Sequence, residues 1–67
     1  MATEDQQKDP IDKAYEERIV KLFEVLFIGY VDAQGDHARE REAEQSFQNA
    51  TAIAKRARDR AKSLIAK

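Results

Sequence analysis

Residues 43 to 64 carry the spacing of a packed helix. Ala43, Phe47, Ala50, Ala54, Ala57, Ala61 and Leu64 follow one another at alternating steps of four and three, an unbroken heptad seam. Five of the seven are alanine, so the seam contributes little apolar area of its own. It lets a second helix approach closely, provided that helix supplies the bulk. Residues 15 to 31 supply it. The sequence therefore predicts an all-α protein, an antiparallel helical hairpin whose first helix is bulky and whose second is small along the contact.

Local signals place the boundaries. Residues 1–8 have no periodicity and no large apolar side chain after Met1, and read as a disordered tail. Residues 9–67 form the hairpin. Asp9 can cap a first helix, Pro10 suits its first turn, and Asp12 places negative charge near the positive end of the helix dipole. That helix is expected over about 10–33. In Gln34-Gly35-Asp36, Gly35 suits a left-handed position and Asp36 can cap a second helix over about 37–66. So short a connection forces the helices antiparallel. Pairing centred on Gly35 sets residue i opposite about 70 − i, with Leu22 meeting Phe47 and Tyr15 meeting Ala54. The last six or seven residues should then project past the start of the first helix.

One partner helix cannot cover the first helix. Ile11, Tyr15, Ile19, Leu22, Leu26, Gly29 and Ala33 form one stripe, and Val20, Phe23, Phe27 and Tyr30 or Val31 form another beside it. Val25 and Ile28 widen the apolar surface further. Burying Val20, Phe23, Phe27 and Val31 between chains could contribute up to ~6–12 kcal/mol before entropic costs. A domain of this size rarely draws more than ~3–5 kcal/mol from its own core. With no cysteine for a disulfide and a single histidine, oligomerisation is the natural stabiliser. The hairpin is thus expected to dimerise into a four-helix bundle, with Val20, Phe23, Phe27, Tyr30, Val31, Leu64 and Ile65 at the oligomer interface.

Charge supports folding and association. Charged residues make up 37% of the chain, yet the net charge is only −1. Residues 1–33 hold eight acids and four bases, and residues 34–67 hold five acids and eight bases. Opposite halves favour pairing within the hairpin and antiparallel association between chains.

Few features suggest chemistry. The two glycines, Gly29 and Gly35, form no phosphate-cradling loop, and no nucleophile stands beside the histidine. Asp36, His37, Glu40 and Glu44 cluster at one helix end. Their His-x-x-Glu order is not the Glu-x-x-His of di-iron bundles, and carboxylates are favoured at a helix N-terminus anyway. No catalytic residue, metal or cofactor is expected. The basic run from Lys55 to Lys62 offers Arg56, Arg58, Arg60 and Lys62 as phosphate contacts. On a helical wheel these bases split across both flanks of the seam, as long side chains do beside a packed stripe.

The N-terminal MATEDQQKDP lacks the apolar core of a signal peptide, and the longest apolar run, Val25 to Val31, is far short of the ~20 residues that span a bilayer. Cytoplasmic residence without membrane contact is expected. In length and hairpin layout the chain is similar to the Rop family, RNA-binding dimers of helical hairpins; the likeness is architectural and aligns no motif, so no binding residue is carried over. The leading expectation is a small non-enzymatic interaction or assembly protein acting as a helical homo-oligomer. The alternative is a nucleic-acid-binding regulator using the basic segment 55–62.

Overall fold

A computed structural model describes residues 9–66. The N-terminal segment expected to be a disordered tail, residues 1–8, lies outside them. Among the described residues the chain is two helices and no strand: α1, Pro10–Ala33, and α2, His37–Ala66. They pack along their length as an antiparallel hairpin.

Each helix starts on an aspartate. The Asp9 carboxylate accepts a hydrogen bond from the Ile11 amide at 2.7 Å, with Pro10 in the first turn. The Asp36 carboxylate accepts from the Ala38 amide at 2.9 Å and the Arg39 amide at 3.4 Å. Between the helices the backbone turns left-handed one residue earlier than glycine alone suggests. Gln34 has φ 51° and Gly35 φ 85°. The Gln34 amide donates to the carbonyls of Tyr30 and Val31, and the Asp36 amide to that of Ala33 at 2.9 Å. Carbonyls orphaned at the end of α1 are thereby satisfied.

The contact between the helices follows the expected stripes, with two differences. On α1 the half-buried residues Ile11, Tyr15, Ile19, Leu22, Leu26 and Gly29 lead to Ala33, the one buried residue among those described. On α2, Ala43, Phe47, Ala50, Ala54 and Ala61 are half-buried.

The first difference is at Ala57 and Leu64, seam positions that are exposed, while Thr51 and Arg58 are half-buried instead. A heptad repeat drifts by about 20° per seven residues on a helix of 3.6 residues per turn. Positions 43, 50, 57 and 64 therefore rotate steadily out of the contact, and 44, 51 and 58 rotate into it.

The second difference is register. Gly29 abuts Ala43, Tyr30 meets Glu44, Tyr15 meets Arg58 and Asp12 meets Lys62. Residue i thus lies opposite roughly 73 − i, about one turn from the register centred on Gly35. Side chains on a helix lean toward its N-terminus, so each contact is made by residues lying C-terminal to it on both helices. The expected overhang of six or seven residues shortens to about one turn, Leu64–Ala66.

Candidate interaction surface

The two long flanks of the hairpin differ in kind. Along one flank, polar contacts tie the helices together. The Tyr30 hydroxyl donates to the Glu44 carboxylate near the turn. At the open end, Lys62 Nζ donates to both carboxylate oxygens of Asp12 at 3.0 Å. Hydrogen bonding to Glu44, then desolvation, then the charges of Glu44 and Glu40 raise the Tyr30 pKa above its ordinary value of 10.0.

Between these ties Arg58 lies over the Tyr15 ring, 4.5 Å from its centroid, and reaches Asp59 at 2.9 Å. A guanidinium stacked on an aromatic face gains cation–π attraction while its stem covers apolar surface. Of the four candidate phosphate contacts, Arg58 and Lys62 are therefore engaged within the hairpin. Arg56 and Arg60 are exposed and form no ion pair among the described residues.

The opposite flank is an open apolar groove. A depression of about 470 Å³ runs along the open half, with Ala14, Arg18, Ile53 and Ala57 on its walls, and Tyr15 and Arg58 also line it from the seam between the helices. Another, of about 290 Å³, continues toward the turn between Val25, Gly29, Ala43 and Ser46. Leu22 and Ala50 line both, so the two meet at mid-length. Near the turn the helices are tight: a Cβ at Gly29 would stand only 2.8 Å from the Ala43 Cβ.

The candidate interface residues are all on the surface. Val20, Phe23, Phe27 and Val31 run along the side of α1 away from the contact, with Phe23 57% exposed, while Tyr30 is at the edge of the contact, where it reaches Glu44. Leu64 and Ile65 are exposed at the end of α2, Ile65 at 69% because it lies beyond the first turn of α1. Val25 and Ile53, which line the groove, are exposed as well, and so is Ile28. Ile53 is the residue that sequence reasoning passed over. It stands three and four residues from Ala50 and Ala57, which marks it as a neighbour of the seam, but the flank it occupies exists only once the helices pair.

The acidic cluster does not converge on a site. Asp36 caps α2, Glu44 engages Tyr30, and His37 is exposed. Among the described residues no group of three histidine, cysteine or carboxylate side chains could hold a metal ion. No described helix is long and apolar enough to cross a membrane.

No protein-family model, curated protein or solved structure matches this chain.

Proposed function

We propose that this chain is a small non-enzymatic interaction or assembly protein, an adaptor, regulator or subunit that works in the cytoplasm as a helical homo-oligomer. One observation carries the reading. Among the described residues a single alanine is buried, while ten large apolar side chains are exposed, seven of them on α1. Contiguous apolar surface of this extent marks an interaction site on small proteins. The hairpin offers no interior where these side chains could go, because two helices in one layer have no second layer to enclose a core.

The nucleic-acid reading has less support. Two of its four bases are occupied by Tyr15, Asp59 and Asp12, and Arg56 and Arg60 alone make a sparse phosphate footprint. Sedimentation equilibrium at micromolar concentration, with a parallel low-salt titration of RNA and DNA, separates the two. The proposed function predicts a dimer or larger species and nucleic-acid binding no stronger than that of a charge-balanced control. A monomer, or tight binding that weakens steeply with salt, would overturn it.

A further inference from the structure

Folding the chain sorts its charge along the hairpin. The turn-proximal half, residues 23–49, carries Glu24, Asp32, Asp36, Glu40, Glu42 and Glu44 against Arg39 and Arg41, a net of −4. The open half, residues 9–22 and 50–66, carries eight bases against five acids, a net of +3. The boundary between the halves falls at the level of Leu22 and Ala50, the point where the two depressions of the groove meet. The hairpin is therefore acidic at its turn end and basic at its open end, with the apolar groove running between the two.

Resting on the homo-oligomer reading, we propose that the occupant of this groove is a second copy of the chain in antiparallel orientation. The turn end of each hairpin lies beside the open end of its partner. A two-fold axis crosses the groove at the level of Leu22 and Ala50. That operation stacks α1 on the α1 of the partner subunit and α2 on its α2, an isologous interface in which the same patch serves both chains.

Charge decides the orientation. A parallel two-fold dimer would set −4 beside −4 and +3 beside +3, at separations comparable to a Debye length of about 8–10 Å. Inverting one copy replaces both repulsions by attractions. Counting from the axis, Glu42 then falls within two residues of the level of Arg60 of the partner subunit, and Glu24 within one residue of the level of Lys21 of the partner subunit, offsets of no more than about 3 Å along a helix. Exposed Ile28 falls level with the stretch between the partner's Ala14 and the partner's Arg18, both of which line the depression. Phe23, Phe27 and Val31 remain on the far side of α1, available to a larger assembly.

The absence of cysteine makes introduced cysteines unambiguous probes. Glu42→Cys and Arg60→Cys, both at exposed positions, are oxidised separately and as an equimolar mixture, alongside sedimentation of each in reduced form. The mixture should cross-link several-fold more than either variant alone, and raising salt should weaken the native dimer. Cross-linking of Glu42→Cys with itself, or a dimer that tightens with salt, would overturn the antiparallel arrangement and leave the oligomer reading standing. A dimer in which no combination cross-links would move the interface off the groove, with the same consequence. A monomer would overturn both.

Discussion

Tyr30 and Glu44 show how much one side-chain contact is asked to hold at this size. Their hydrogen bond closes the hairpin near its turn, and the hydroxyl can donate only while it keeps its proton. The raised pKa sets the direction of the pH dependence. An acid whose pKa is higher in the folded state contributes stability that is present below the unfolded value and lost as pH rises through the folded one. Stability should therefore fall above pH 10. Tyr30→Phe should be less stable than the native chain at neutral pH and show a shallower alkaline decline, measured by helical circular dichroism. An identical alkaline decline in both proteins would assign the effect elsewhere. The turn offers a second residue-scale expectation. With φ 85°, Gly35 occupies backbone that costs an L-residue about 1–2 kcal/mol, so Gly35→Ala should destabilise by about that amount in chemical denaturation. Sequence alone marks Gly35 as the left-handed residue. It does not show that Gln34 shares that conformation, because non-glycine residues enter it only when a specific turn demands it.

At the scale of the helices, Gly29 lies tight against Ala43. Alanine is a better helix former than glycine by ~1 kcal/mol, so Gly29→Ala would stabilise an isolated α1. In the hairpin its Cβ would press on the Ala43 Cβ at 2.8 Å, and because each Cβ is fixed to its own backbone a helix must shift to relieve the contact. Gly29→Ala should lower the melting temperature, and Gly29→Ala combined with Ala43→Gly should recover much of the loss. A single substitution that raises the melting temperature would show that the helices do not meet there. The alanine seam divides in the same way. Ala54 is half-buried against α1 and Ala57 is exposed in the groove. Ala54→Leu should cost ~1–3 kcal/mol by overpacking, and Ala57→Leu much less within the hairpin. Equal costs would imply that α2 supercoils enough to keep position 57 in the contact. The caps, the turn and the half-buried stripe of α1 were all legible, because each depends on neighbours in sequence. Register and the exit of Ala57 were not. The first depends on the lean of side chains toward each N-terminus, and the second on rotational drift that accumulates over several heptads.

The molecule as a whole is a single layer with polar ties on one flank and an apolar groove on the other. Its apolar excess was legible in the sequence as a stripe on α1 wider than one partner could cover. The groove was not, since its walls come from Val25, Ile53 and Ala57, which belong to different helices and share a surface only after folding. A hairpin with one buried residue among those described has little to hold it together alone. Association and folding should accordingly be one transition, coupled by mass action. The most direct measurement is thermal unfolding, followed by circular dichroism over a hundredfold range of protein concentration. The melting temperature should rise steadily with concentration, with helicity and association lost together. A melting temperature independent of concentration, with a cooperative transition, would show that the hairpin is stable by itself and contradict this account.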